Sequence, residues 1–490
     1  MSGSLPTPRF IGSIGTALST LAALALLAGC AVRNEYLRPK PPMPTGWSTS
    51  LPGMEAPAAT AGELARWWHQ FGDPMLSALI ERALAENRDV REAIARVKEA
   101  RALQGVADAR AVPQIGVAGS AARDRMSENN RFPLRGVPNA TALYQGQFDA
   151  SWELDLFGGV QRTREASAAD AAGAAFDREA VAVSVSAEVA AAYLRLRSAQ
   201  AQHSTLGDQL SVARDTIAIV AARLKAGLVG DLDLLRAREI LATLEARRPL
   251  LEAAAGVEMR RLGVLVGAQA GSLLAELSAV RQPPQVVPQL PSAVPADLLA
   301  RRADLRAIER ALAAENARVG VADADRYPRL SLSLALGLLS LASGNFTSAA
   351  SAVWNAGAGV RAPLYDGGSR DARLAAARAR YEQAVIRYEN AAARAVEEVD
   401  TAAVRYHGSW QQREKLVEAI RADEDARDLS LVRYKGGLAD FLTVLDAQRQ
   451  LFAVQNEEIA SRELALLHLV SLYKAFGGGW DASRVDANAL

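Results

Sequence analysis

The sequence predicts an α+β membrane protein with an internal two-fold repeat, in which each half supplies long helices and two strands. Three observations support this prediction: landmarks that recur in one order, four stretches that alternate apolar with polar residues, and two proline-free helical stretches of unusual length. The 490 residues, half of them hydrophobic, can bury a large core. Because 56 Lys and Arg balance 55 Asp and Glu without a basic block, we expect no nucleic acid partner.

The repeat is marked by three motifs that occur in both halves. They are Val106–Pro113 against Val321–Pro328 (328 − 113 = 215), Leu156–Arg162 against Leu364–Arg370 (370 − 162 = 208), and Arg223–Ala237 against Arg433–Ala447 (433 − 223 = 210). A shared order of unrelated motifs indicates duplication rather than similar helical composition. We predict a first repeat at 67–280, a proline-rich linker or equatorial segment at 281–295, a second repeat at 296–476, and a C-terminal tail at 477–490.

The N-terminus has the features of an export signal. An apolar run follows Arg9 and ends in the letters LAGC, Leu27–Cys30. A single transmembrane helix is the alternative, since the run is about the ~18 residues that span a bilayer. The polar, proline-rich stretch from Arg33 to Pro57 favours the signal, and we predict a signal peptide at 1–29 followed by a lipid-anchored linker at 30–66.

Cys30 is the only cysteine in the chain. The LAGC letters resemble a bacterial lipoprotein box, and this resemblance implies that Cys30 is the lipidated first residue of the mature protein. Ala31 behind it implies sorting to the outer membrane. No cysteine remains for a disulfide, a thiolate metal site or a nucleophile. We therefore expect no metal and no cofactor, and the only attached group is the covalent lipid on Cys30.

Four strands are predicted from period-two alternation, at about 114–125, 143–156, 329–338 and 352–362. In the third, leucines at every second position from Leu330 to Leu338 alternate with small or polar residues. This pattern is typical of membrane barrel strands, with apolar side chains toward lipid and polar ones toward a wet lumen. A strand of a soluble sandwich alternates in the same way, but here only four such strands occur and the remainder is helical. Pro113 and Pro328 mark the change from helix to strand.

The helical stretches Arg162–Leu224 and Asp371–Lys435 predict long helices. The second has Leu374, Tyr381 and Tyr388 at seven-residue spacing, which indicates coiled-coil packing. Glycines follow both stretches, in predicted turns at 226–231 and 436–441. Since glycine takes the left-handed conformation that reverses a chain, a second antiparallel helix should follow each turn.

Four strands cannot span a membrane as an open sheet, because the unpaired backbone groups of the outer strands would face lipid. The barrel must therefore close between chains. Two chains would give eight strands and a filled interior, whereas three would give twelve and leave a lumen. The small and polar side chains on one parity favour the trimeric, 12-stranded transmembrane β-barrel.

The chain resembles the outer-membrane factors of the TolC type, in the NodT-like branch of efflux lipoproteins. The resemblance extends over essentially the whole mature chain. It rests on the lipoprotein box, Arg66–Ala102, Trp152–Gly159, Ala362–Arg370 and the two glycine turns. It implies a homotrimer whose barrel in the bacterial outer membrane continues as a periplasmic tunnel of antiparallel coiled-coil helices with an equatorial domain.

The resemblance implies a passive exit duct for drugs or other small molecules. An inner-membrane pump, of the RND type, and a periplasmic adaptor would deliver them. Two alternatives remain: the outer-membrane component of a type I protein secretion system, and a lipid-anchored periplasmic coiled-coil structural protein. We expect no enzyme, because no nucleophile or phosphate-binding motif occurs and the histidines lack metal-ligand spacing. The histidines are His69, His203, His407 and His468.

The resemblance also assigns two groups of residues near the glycine turns. The adaptor-docking group is Gly227, Leu228, Gly437 and Leu438, and the gate group is Leu442 and Asp446 with a latch from the Tyr434 hydroxyl to the Asp233 carboxylate. Helix capping and an ordinary helix-start carboxylate are the simpler alternatives. Ala439 and Thr443 stand where the best-known version of the gate has an arginine and a second acidic ring. The closed state is therefore expected to depend more on the apolar ring than on charge.

Overall fold

The computed structural model describes residues 36–49, 61–125, 127, 129, 140–284 and 294–481. The predicted signal peptide, Cys30, most of the 281–295 linker and most of the C-terminal tail lie outside the described residues.

The elements of the two halves follow the predicted order of helix, two strands and two long helices. The first half contains α1 (Ala61–Ala65), a 3₁₀ turn (Trp67–Phe71), α2 (Pro74–Glu86), α3 (Arg88–Asp108), β1 (Gln114–Arg125), β2 (Ala140–Leu154), α4 (Gly159–Lys225), α5 (Asp231–Leu265) and α6 (Leu274–Leu277). The second half contains α7 (Leu298–Arg301), α8 (Ala303–Ala324), β3 (Arg329–Ser340), β4 (Ala352–Arg361), α9 (Ser369–Lys435) and α10 (Phe441–Ala475). The predicted fold class, with its internal repeat and four strands, is confirmed.

The strands form one antiparallel sheet in the order β1-β2-β3-β4. The register aligns apolar residues across all four strands, as in the row Val117, Phe148, Leu336 and Trp354. The adjacent row on the opposite face is Gly116, Asp149, Ala335 and Asn355. The alternation seen in the sequence therefore becomes one apolar and one small or polar face.

The chain folds as two compact units. The sheet unit comprises the strands with Lys98–Gly173 and Glu309–Arg387, and the helical unit comprises the described parts of Lys40–Val97, Ala174–Ile308 and Tyr388–Leu490. Among the described residues, no helix is both apolar and long enough to span a bilayer.

The core of the helical unit is built around the aromatic segment before α2. Trp67 stacks on Tyr473 of α10 with ring centroids 5.3 Å apart, and the Tyr473 hydroxyl donates to Oε1 of Gln70 at 2.6 Å. Asp73 caps α2 by accepting from the Met75 amide at 2.9 Å, and its other oxygen accepts from the hydroxyl of Tyr193 in α4. One short segment thus connects three helices of different halves.

The segment after α6 is tied to α4 by buried polar groups. Arg197 is 1% exposed, and its Nη1 donates to the Ala279 carbonyl at 2.9 Å and to Oε1 of Gln200 at 2.6 Å. Gln200 donates in turn to the Leu277 carbonyl at 2.9 Å. Because buried backbone carbonyls need partners, these two side chains fix an irregular segment against a helix.

Candidate functional site

The apolar face of the sheet is exposed in the single chain. Ile115, Val117, Phe148 and Trp354 retain 78%, 74%, 65% and 77% of their accessible surface. Burying a side chain of this size is worth about 1.5–3 kcal/mol, so a continuous apolar surface of this kind requires a cover. On the opposite face Nε2 of Gln145 donates to Oε1 of Gln147 at 2.6 Å, and such polar side chains suit contact with water.

Each strand pair is connected to its long helix by a carboxylate cap. Asp155 accepts from the amides of Val160 and Gln161 at 3.0 and 2.7 Å, at the start of α4. Asp366 accepts from the amides of Gly368 and Arg370 at 3.0 and 3.1 Å, at the start of α9. These hydrogen bonds lower the pKa of Asp366. Both caps satisfy amides that a helix start leaves without partners.

The two helix turns have the same hydrogen-bonded geometry. Gly227 and Gly437 have φ values of 73° and 74° and lie two residues after the last residues of the two long helices. In both turns the glycine amide and the next amide reach back to helix carbonyls, which is the Schellman arrangement. The bonds are Gly227 to Leu224 (2.9 Å), Leu228 to Arg223 (2.9 Å), Gly437 to Tyr434 (3.0 Å) and Leu438 to Arg433 (2.8 Å).

The leucines that follow these glycines are exposed, Leu228 at 64% and Leu438 at 73%. Leu442 is 43% exposed, and Asp446, one helical turn further on, is exposed on the same side of α10. The opposite side of this turn, with Val444 and Leu445, is fully buried. The residues of both predicted groups at these positions are therefore available to a partner.

The predicted bond between Tyr434 and Asp233 is not formed in this structure. Tyr434 is 2% exposed, its ring packs on Phe441 with centroids 5.4 Å apart, and its hydroxyl has no hydrogen-bond partner among the described residues. Burial raises the pKa of Tyr434, and the Asp233 charge raises it further while Arg223 opposes both. The ring is held in an apolar cluster, so its hydroxyl does not reach a carboxylate.

Arg223 makes the contact that joins the two turns, a role that was not predicted from the sequence. Its guanidinium lies over the Tyr434 ring at 4.6 Å, and Nη1 donates to the Tyr434 and Lys435 carbonyls at 3.0 and 3.1 Å. These carbonyls belong to the negative end of α9, which favours a cation. The available signal was the arginine that opens both copies of the third motif.

A sheet with one exposed apolar face, joined to long helices that reverse at paired glycine turns, defines the class of outer-membrane channels built from strands and coiled-coil helices. The model of the outer membrane efflux protein family matches residues 79–268 and 294–478, one segment in each half. The chain belongs to this family.

Similar proteins agree with this assignment. The chain is 30% identical over 481 residues to the pyoverdine export outer membrane protein OpmQ of Pseudomonas aeruginosa, covering 95% of this chain and 98% of that protein. It is 29% identical over 472 residues to the toluene efflux pump outer membrane protein TtgF of Pseudomonas putida, covering 94% and 96%. The solved outer-membrane channel OprN matches with a TM-score of 0.84 and 32% identity over 91% of this chain and 99% of that one. The chain is an outer-membrane channel of an efflux system.

Removing the Arg223 guanidinium should loosen the turns. We expect Arg223→Met to lose a cation–π contact and two charge-assisted hydrogen bonds, each of these bonds being worth about 1.5–3 kcal/mol. Amide hydrogen exchange at 226–230 and 436–440, followed by mass spectrometry, should become roughly tenfold faster or more. The matched control is Arg433→Met, since Arg433 holds the equivalent position in the second turn but is exposed. Equal exchange in the two variants would refute the role of Arg223.

Proposed function

We propose that three copies of this chain close a twelve-stranded barrel that serves as the passive exit duct of a tripartite efflux system. The observation that carries the proposal is the sheet: one face is apolar and exposed, and in the described chain β1 and β4 each pair on one side only. In a membrane both outer strands need hydrogen-bonding partners. The free edge of β4 would pair with β1 of a second copy. Three copies leave a lumen, whereas two would fill the interior.

The cargo is proposed to be small molecules selected by an inner-membrane pump, of the RND type, and passed on by a periplasmic adaptor. Relatives of similar identity bear names that refer to unlike compounds, toluene for TtgF and pyoverdine for OpmQ. An aromatic hydrocarbon and a siderophore share little recognition chemistry. Their export through similar channels supports a duct that does not itself select, and these names favour efflux over protein secretion.

We propose that Cys30 is the lipidated first residue of the mature chain, on the strength of the LAGC letters. We expect the mass of the mature N-terminal peptide to include acyl chains on Cys30. Cys30→Ser should prevent this processing and leave channel conductance unchanged, because the strands insert independently of the lipid. An unmodified N-terminal residue other than Cys30 would contradict the proposal.

The adaptor is proposed to dock at the two glycine turns, where Leu228 and Leu438 are exposed. Capping explains the glycines, but it does not explain an exposed leucine after each of them. A buried leucine at an interface contributes about 1.5–3 kcal/mol, and a carboxylate in its place would be desolvated. Leu228→Glu and Leu438→Glu should therefore lower efflux at least tenfold, measured by accumulation of a fluorescent substrate in cells.

A control variant for docking is Leu250→Glu, because Leu250 is also exposed, at 71%, but lies in the middle of α5. It should leave efflux unchanged, and all three variants should form trimers in equal amount. Normal efflux with both turn variants would remove the docking assignment.

The gate is proposed to be a constriction at Leu442 and Asp446, since three copies would bring three leucines and three carboxylates together. Thr443 is uncharged and takes part in the cap of α10, where its hydroxyl and its amide donate to Oδ1 of Asp440 at 2.6 and 3.0 Å. The latch is proposed to be the Arg223 contact with Tyr434 rather than a bond to Asp233.

In planar bilayers, Leu442→Ala should raise the single-channel conductance because the apolar ring is widened. Asp446→Ala should raise it less and weaken block by multivalent cations, because it removes the carboxylates that bind them. The control is Asp215→Ala, which removes an exposed carboxylate from α4. The control should conduct like the wild type, and if Leu442→Ala and Asp446→Ala do so as well, the constriction lies at other residues.

A further inference from the structure

Besides the pairing of β2 with β3, the two halves of the chain meet inside the sheet unit at three packing contacts, here called the inter-half joint. Phe157 stacks on Tyr327 with ring centroids 4.9 Å apart. Gly159 lies against Ala324, such that a Cβ on the glycine would be 3.2 Å from the alanine Cβ.

The third contact places an arginine side chain over a glycine. A Cβ on Gly320 would lie 2.9 Å from Cγ of Arg162, closer than real Cβ atoms come to other atoms. The stem of Arg162 therefore occupies the space that any other residue at position 320 would fill. The joint needs a glycine at this point.

The internal repeat gives each residue of the joint a counterpart. A shift of 208 (370 − 162) maps the first-half members onto the loop after β4 and the start of α9, and a shift of 215 (328 − 113) maps the second-half members onto the end of α3 and the approach to β1. The counterparts of Phe157, Gly159 and Arg162 are Tyr365, Gly367 and Arg370, and those of Gly320, Ala324 and Tyr327 are Gly105, Ala109 and Val112. Both glycines, the arginine and the alanine are retained, and an aromatic ring stays at position 365.

In the single chain Arg370 pairs with Asp366, four residues earlier, at 3.3 Å, and the other counterparts leave open or exposed space. At Gly105 and at Gly367, the position that a Cβ would occupy has no packing neighbour within 4 Å among the described residues. Tyr365 is 93% exposed and Val112 is 54% exposed. A nearly fully exposed tyrosine beside Leu364, which is 97% exposed, is an unusual surface for a channel protein and calls for a cover.

The two groups cannot cover each other within one chain. The Tyr365 group follows β4 and the Val112 group precedes β1, and these are the two outer strands of the sheet. Neighbouring strands are about 4.7–4.9 Å apart, so three steps across the sheet separate the groups by roughly 14 Å.

We infer that the inter-half joint is repeated between copies: Tyr365, Gly367 and Arg370 of one chain dock on Val112, Ala109 and Gly105 of the next. This inference rests on the proposed trimer and specifies the surface that holds it together. The Arg370 stem lies over Gly105 as Arg162 lies over Gly320, and the Tyr365 ring covers Val112. Because each copy offers one group at each edge, the contact is head-to-tail and closes into a ring.

Cysteine crosslinking tests the joint. In the double variant Val112→Cys/Tyr365→Cys, a short bis-maleimide should convert most of the protein into covalently linked trimers on a denaturing gel. The matched control is Phe157→Cys/Tyr327→Cys, the same pair at the inter-half joint, which should react within one chain and stay at the monomer position. Each single-cysteine variant should also remain monomeric on this gel, which accounts for any reaction of Cys30.

A second variant tests the glycine. Gly105→Leu fills the space assigned to the Arg370 stem and should lower the trimer fraction at least tenfold, whereas Gly207→Leu, at an equally open glycine in α4, should not. If wild-type trimers form, but the double variant crosslinks no better than the single variants, the joint is refuted while the proposed function stands. If the wild type forms no trimer, the proposed function fails and the joint fails with it.

Discussion

The pairing of backbone hydrogen bonds in a membrane is the constraint on which the rest of this structure depends. An unpaired amide or carbonyl in hydrocarbon costs several kcal/mol, so a sheet in lipid is stable only when it has no free edge. This chain supplies four strands, of which β2 and β3 are paired on both sides. The outer strands β1 and β4 need a neighbour, and the simplest neighbour is another copy. The sheet can therefore be stable in a membrane only when several chains assemble.

Duplication gives the chain a way to satisfy this constraint twice, once within itself and once between copies. In the inter-half joint, the stacked rings of Phe157 and Tyr327 support the pairing of β2 with β3. The counterparts of the joint keep both glycines and the arginine, and in the described chain Gly105 and Gly367 have open space where a Cβ would lie. Such residues are expected to recur in a repeat when the same surface packs against a symmetry-related copy. Under the proposed trimer, the two halves perform the same packing task, once within a chain and once between copies.

The features that local chemistry determines were predictable from the sequence. Alternating leucines identify β3, Pro113 and Pro328 directly precede β1 and β3, and Gly227 and Gly437 form the turns that only a positive φ allows. Features that depend on packing were not predictable. The helix caps are an example: Asp155 and Asp366 do the same work from positions that the repeat does not align, and β2 ends at Leu154 because Asp155 turns to cap α4. The surroundings of Tyr434 are another example: its ring packs against Phe441 and under the Arg223 guanidinium, which the sequence pattern does not reveal, and the bond from its hydroxyl to Asp233 stays a prediction.

The most direct test is the structure of the purified, detergent-solubilised protein by electron cryo-microscopy. We expect particles of three chains in which β1 of each copy is hydrogen-bonded to β4 of the next around one open lumen. Particles of one or two chains, or trimers in which β1 and β4 remain unpaired, would contradict it.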